Sequence, residues 1–217
     1  MHDFALSRRT LLGGAAALLA LPSPAAAAGD GIDFDVRVAG SSIGHHRLAF
    51  RRHGEVLRVS IDIRMKVRLL FMTVFDYTQR VEEDWEGERL LRLESTTVDG
   101  DNHDAVTAVA DTEGIAVRSR RFGERLMPAD TWPSTAFWRQ AAIRRTRFLD
   151  AARGDWREVR IEDRGVEQVI AGGQSRAGHR FHVDTSRDFD VWYGANGDWL
   201  KLQWSGFGMT ADYVRLT

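Results

Sequence analysis

The chain has 217 residues, with 30 Lys+Arg against 31 Asp+Glu and no cysteine. A formal net charge of −1 offers no field to attract nucleic acid or an anionic membrane. The missing thiols exclude disulfides, thiolate metal sites and a cysteine nucleophile.

The first predicted element is a targeting segment. In SRRTLLGGAAALLALPSPAAAAG, Arg8 and Arg9 precede an apolar run from Leu11 to Leu21, then Pro22, Pro24 and four alanines. This resembles a twin-arginine export signal, with Ala26 and Ala28 as the small residues before cleavage at Gly29. The apolar run is about half of the roughly 20 residues a spanning helix needs. Residues 1–28 are therefore expected to be a signal peptide read by the export machinery. Residues 29–217 are expected to form a single β domain, periplasmic or secreted, with no transmembrane segment. Cleavage removes two basic and one acidic side chain, leaving 28 against 30 and a net charge of −2. A chain without cysteine also suits folding before export.

Strand patterns follow in chain order. IDFDVRV leads through Gly40-Ser41 into IGHHRLAF, and His53-Gly54 leads into LRVSIDIRMKVRL. In that last segment Leu57, Val59, Ile61, Ile63, Met65, Val67 and Leu69 share one face, and Arg58, Ser60, Asp62, Arg64, Lys66 and Arg68 the other. Unbroken period two marks a strand with one buried face, and a one-residue slip would bury six polar groups, so its register is strongly specified. FDYTQRVEEDW turns at Glu86-Gly87 into RLLRLESTTV, with further turns at Asp99-Gly100 and Glu113-Gly114. Later, WREVRIEDRGVEQVI turns at Gly172-Gly173 toward HRFHV, and DFDVWYG turns at Asn196-Gly197 into WLKLQW, followed by TADYVRL. Glycine suits such turns because their positions need positive φ. About a dozen strands joined by short connections predict an all-β antiparallel meander, a barrel or strongly curled sheet.

One segment breaks this rhythm. MPADTWPSTAFWRQ carries two of the four prolines, Pro128 and Pro133, beside Trp132 and Trp138. Prolines cannot donate ladder hydrogen bonds, and residues before them avoid helix. A short helix is predicted after Pro133, capped by Ser134, with Phe137 and Ala141 on one side and Arg139, Arg144, Arg145 and Arg147 on a solvated face. The 127–150 segment is expected to cover the open end of the barrel, with any ligand beneath it.

Several motifs invite chemistry and are better explained by turns. GSSIG, with Ser42 central, matches a nucleophile elbow, but the elbow needs a helix after the serine, and HHRLAF reads as strand. His45 and His46 point to opposite faces, as do His179 and His182, and no spacing demands a metal. DGDNHD lacks the glycine and glutamate of a calcium loop: those places hold Asp104 and Ala110. Of the seven tryptophans, Trp204 shares parity with Leu200 and Leu202 and reads as core. Trp192 opposes Val191 and Tyr193 and is exposed or flanks a second layer. Trp132 and Trp138 either plug the barrel as core or form an aromatic rim on a ligand cavity.

FDVRVAGSSIGHHRLAF, MPADTWPSTAFW, DFDVWYGANGDWLKLQW and ADYVRL, in that order, resemble an uncharacterised bacterial family of twin-arginine-exported all-β proteins, known as a domain of unknown function. The resemblance runs from about Phe34 to Leu216. It implies one exported β domain and supplies no catalytic residue. The family often has Trp-Asn where this chain has Trp138-Arg139, so a polar site is not expected there. The expected function is a non-enzymatic binding or carrier domain for an apolar, amphipathic or lipid-like small molecule in the cell envelope. Trp132, Trp138 and Trp204 are the candidate ligand contacts, and no catalytic residue, metal or cofactor is assigned. The alternatives are a hydrolase or isomerase whose site forms only in three dimensions, with His45, Asp62 or Glu83 as candidates, and a structural or partner-binding protein with no pocket.

Overall fold

Alternating apolar and charged residues can bury only one face of a pleated strand, and a long series of such strands must curl to bring those faces together. The computed structural model describes residues 31–69, 72–185, 188–206 and 208–216. Its first strands are β1 (Ile32–Val38), β2 (Ser41–His53), β3 (Val56–Leu69), β4 (Met72–Glu86), β5 (Arg89–Asp99), β6 (Asn102–Ala110), β7 (Ile115–Ser119) and β8 (Gly123–Met127). Three short strands follow, β9 (Trp132–Pro133), β10 (Arg147–Leu149) and β11 (Trp156–Glu158). The chain ends in β12 (Arg160–Ala171), β13 (Gln174–Asp184), β14 (Phe189–Tyr193), β15 (Trp199–Gly206) and β16 (Met209–Arg215).

Thirteen strands make one antiparallel sheet in the order β12-β13-β14-β15-β16-β1-β2-β3-β4-β5-β6-β7-β8. The β1–β16 pairing, with Val36 opposite Tyr213, joins the two halves of the meander. On β3, Val59, Ile61 and Ile63 are buried while Arg58, Arg64 and Lys66 are exposed, as period two requires; the side chain of Leu69 lies outside the described residues. The sheet curls far enough for Tyr213 on β16 to approach Met65 Sδ on β3 at 3.7 Å. It does not close. β8 and β12 are its two edges, and the chain between them forms a small sheet, β11-β10-β9. This insert is tied to the β8 edge by Arg125–Asp155 at 3.3 Å. Gly154 fits against Ser119, where a Cβ would fall 2.3 Å from the serine Cβ.

The predicted short helix is replaced by two 3-10 turns, Ala136–Trp138 and Gln140–Arg144. Ser134 does not cap them. Its Oγ accepts a hydrogen bond from Ala151 N at 3.1 Å, and the cap position falls on Thr135, which makes no side-chain cap bond. Tertiary partners have taken both hydroxyls. The solvated arginine face also needs correction. Arg139 lies over the rings of Trp85 and Trp138 at 4.7 and 4.4 Å, and Arg145 over Trp132 at 4.5 Å, while Arg144 and Arg147 are exposed.

Trp192 flanks a second layer. It packs outside the main core with Val169, Ala171 and Leu200, and its Nε1 donates to Glu167 at 2.7 Å. Among the described residues no helix is long and apolar enough to cross a membrane.

Candidate functional site

Strand direction gives the curled sheet two distinct ends. One carries the turns at 54–55, 87–88 and 172–173; the other carries those at 39–40 and 100–101. The first end is plugged. Trp85 on β4 is fully buried and meets Trp132 and Trp138 edge-on, with ring centroids 5.2 and 6.1 Å away. Trp138 also packs on Phe50 of β2 at 5.2 Å. Arg139 donates to the Gly87 carbonyl in the β4–β5 turn, and Arg144 and Arg145 reach Glu88 at 3.1 and 3.3 Å.

Glu83 lies at the centre of this plug with no solvent exposure. It accepts hydrogen bonds from Trp85 Nε1 at 2.8 Å, from Trp138 Nε1 at 3.4 Å and from Thr135 Oγ1. Burial raises its carboxyl pKa above the ordinary value, although these hydrogen bonds and the nearby Arg139 pull the other way. Glu83 joins β4 to the plug.

Toward the other end the interior is hollow. A cavity of about 300 Å³ extends to the turns at 39–40 and 100–101, with Val38, Ile43, Met65 and Phe75 on one side and Phe189, Leu202, Trp204 and Met209 on the other. Ser134, Thr135, Phe137 and Phe148, on the inner side of the plug segment, also line it. Phe137 packs on Phe148 and Phe189 at 5.0 and 4.9 Å, and its carbonyl accepts from Tyr193 Oη at 2.6 Å. At the rim, Arg157 pairs with Asp150 at 2.6 Å and Arg153 with Asp99 at 3.7 Å.

One cross-strand row carries three of the cavity's polar side chains, His46, Gln79 and Thr97. Phe34 stands opposite His46, His46 opposite Ile63, Ile63 opposite Gln79, and Gln79 opposite Thr97. Gln79 is satisfied: Tyr77 Oη donates to its Oε1 at 2.8 Å, and its Nε2 donates to Ser95 Oγ at 3.3 Å. His46 and Thr97 are not. Neither ring nitrogen of His46 and not Thr97 Oγ1 has a hydrogen-bond partner among the described residues. His46 is only 6% exposed, within an aromatic collar of Phe34, Trp199 and Tyr213 at 6.2, 5.4 and 5.8 Å. Burial lowers its pKa to about 3, so the imidazole is neutral at ordinary pH.

Of the three tryptophans expected at a ligand, only Trp204 lines the cavity. Its ring lies against Gly206, where a Cβ would fall 2.6 Å from it. Trp132 is 1% exposed and, with Trp138, packs into the plug at the opposite end. The insert therefore closes the far end, and the cavity opens away from the two rings that were expected to cover it. The reason is direction: β8 ends at Met127 on the side of the 87–88 turn, so the chain enters the insert there. Arg8, Arg9, Ala26 and Ala28, expected to belong to an export signal, lie outside the described residues.

The enzyme candidates do not converge. His45 and Asp62 lie 3.7 Å apart on the outer face, and Glu83 is sealed in the plug. Ser42 is exposed and donates to Asp35 at 2.5 Å. Gly44 belongs to a β-bulge opposite β1, where a Cβ would fall 1.8 Å from the Arg64 carbonyl oxygen. Close strand approach, not an elbow, explains that glycine. His179 and His182 pair with Asp163 and Asp190 at 2.7 and 3.0 Å. His46, unassigned by motif, was detectable by parity, since it shares a face with Leu48 and Phe50.

The sheet and cavity define a β-barrel-like domain: a curled antiparallel sheet, plugged at one end and hollow at the other. Residues 34–216 match the family described as Domain of unknown function (DUF6134), and the chain belongs to that family. A solved structure similar to it is a beta-barrel-like protein of Domain of Unknown Function DUF1849 from Brucella abortus. The TM-score is 0.64 at 9% identity, covering 87% of this chain and 95% of the other. At that identity the likeness shows the fold alone. None of the curated proteins matches this chain.

Proposed function

We propose that the chain is an exported, non-enzymatic binding or carrier domain for an apolar or amphipathic small molecule in the cell envelope. The observation that carries this reading is the interior cavity. Its volume of about 300 Å³ is at the lower end of the roughly 300–1,000 Å³ typical of small-molecule sites. Its walls are largely apolar, and a few polar groups interrupt them, the composition expected of a site that buries an apolar body and orients it. A purely structural β domain gains nothing from leaving this space unpacked, because interiors pack to crystal-like density.

Export is supported by the order of Arg8-Arg9, the short apolar run and the alanine tract. N-terminal sequencing of periplasmic protein should begin near Gly29; a full-length, membrane-retained product sinks that part of the reading. For the ligand, protein purified from periplasm should carry a lipid-like species, seen by mass spectrometry after extraction and displaced by an added medium-chain alcohol. Protein that carries no such species and binds no apolar probe refutes the carrier role.

A further inference from the structure

We propose that the cavity takes a neutral amphipathic molecule head first, with a ligand hydroxyl seated against the His46 imidazole and the chain running out past Trp204. This rests on the carrier reading above and narrows its ligand class.

The argument begins with position. His46 faces inward on β2, in the same row as Ile63 and Gln79. The next row toward the opening holds Met65 and Tyr77, and the row behind holds Leu48, Ile61 and Val81, all buried. The imidazole therefore stands where the hollow meets the solid core. Leucine or phenylalanine would fill that place as well as histidine does, and buried polar groups are normally hydrogen-bonded. Both ring nitrogens lack a partner, so the side chain carries a hydrogen-bonding capacity that no described residue uses.

The chemistry of that capacity selects the ligand. A neutral imidazole presents one donor and one acceptor. A hydroxyl is both, and it can pair with either tautomer. A carboxylate only accepts and needs a cation when desolvated. The cations lining the cavity, Arg153 and Arg157, stand at the rim and already face Asp99 and Asp150. The aromatic collar around His46 leaves no charged group to stabilise an imidazolium. Thr97, the other cavity-lining group that lacks a partner among the described residues, lies three strands along the row, about 14 Å along the wall at the usual strand spacing, too far to share the same hydroxyl.

The test is calorimetric titration of the purified protein with 1-octanol, octanoate and 1-chlorooctane, alongside ¹⁵N NMR of the histidines. Octanol should bind about tenfold more tightly than either of the others, the worth of one good hydrogen bond. His46→Leu should remove that preference by weakening octanol while leaving 1-chlorooctane unchanged, and Thr97→Val should preserve it. The His46 ring nitrogens should shift on adding octanol and not on adding 1-chlorooctane. Equal affinities in the wild type, or a preference that survives His46→Leu, overturn this inference and leave the carrier reading standing. Binding of none of the three overturns both. Should His46→Leu fail to fold, the wild-type affinities and ring shifts decide alone, and unshifted His46 nitrogens at saturating octanol refute the proposal.

Discussion

At the plugged end, a buried carboxylate is met by three donors, from Trp85, Trp138 and Thr135. At the hollow end, a buried imidazole and a buried hydroxyl meet none among the described residues. Both ends use aromatic rings and inward-facing polar groups from the same sheet, some on the same strands. They differ in what the unspent polar groups face: Thr131 Oγ1 and Arg139 Nε in the plug also lack a partner among the described residues, but neither lines the cavity, whereas His46 and Thr97 do. Satisfied groups fix the plug to the sheet and add specificity to the packing. Unsatisfied groups beside empty volume are what a packed core eliminates, and their retention marks the hollow end as the one that meets something else.

The sharpest way to break this contrast is to empty the plug. Trp132→Ala should cost about 3–5 kcal/mol, as large aromatic truncations in cores do, and leave octanol affinity unchanged in whatever fraction stays folded. Urea unfolding beside calorimetry would measure both. A Trp132→Ala protein of normal stability with lost ligand affinity would exchange the roles assigned to the two ends.

Glu83 gives the next largest effect. Glu83→Leu strands three donors in the plug and should cost about 2–3 kcal/mol. Its pH dependence has a definite sign. Burial raises the folded pKa above the ordinary 4.5, so the folded state holds this proton to higher pH than the unfolded chain. The group's stabilising contribution is then complete below about pH 4.5 and is lost as pH rises through the folded value. Measured against Glu83→Gln, the wild type should lose stability as pH rises through that window. A difference that is flat or grows with pH means that the three hydrogen bonds and Arg139 outweigh burial.

The same contrast shows what could be read from residue order. The buried face of β3 follows directly from alternation, because one face of a pleated strand must be apolar. The break at Pro128 and Pro133 was equally readable, since neither residue can join a ladder. The end it occupies was not read, though counting hairpins from β3 brings Met127 back to the Gly87 side. Non-closure is harder to see: whether β8 and β12 pair depends on strand tilt and on the insert between them, not on either strand's pattern. For His46, parity placed the side chain inward. The cavity beside it depends on what the opposite wall leaves unfilled, and no local pattern encodes that.

Trp204 should sharpen the comparison from the hollow side. It is half-buried and lines the cavity, so Trp204→Ala should cost less stability than Trp132→Ala, on the order of 1–2 kcal/mol against the 3–5 of a fully buried ring. Octanol affinity should fall about tenfold, because binding energy concentrates in aromatic contacts. A ligand that ignores this truncation does not run along the β15 wall.

The smallest effect expected is at the rim, and it decides whether the opening is held shut by charge. Arg153 and Asp99 approach to 3.7 Å, each about one-third exposed. A pair this long and this wet is worth roughly 0–1 kcal/mol, because water screens it and two flexible side chains must be ordered to make it. Arg153→Gln should therefore change the urea midpoint by less than about 0.5 kcal/mol equivalent, and the small difference should shrink further in molar salt. Affinity for a neutral alcohol should not move, since the guanidinium meets no part of an uncharged head group seated at His46. The alternative is a latch, in which the Asp99 and Arg153 pair closes the opening over bound ligand. Faster ligand release from Arg153→Gln with unchanged stability, seen by stopped-flow displacement, would establish the latch. Unchanged release would leave the hollow end an open cup whose retention of ligand depends on its walls.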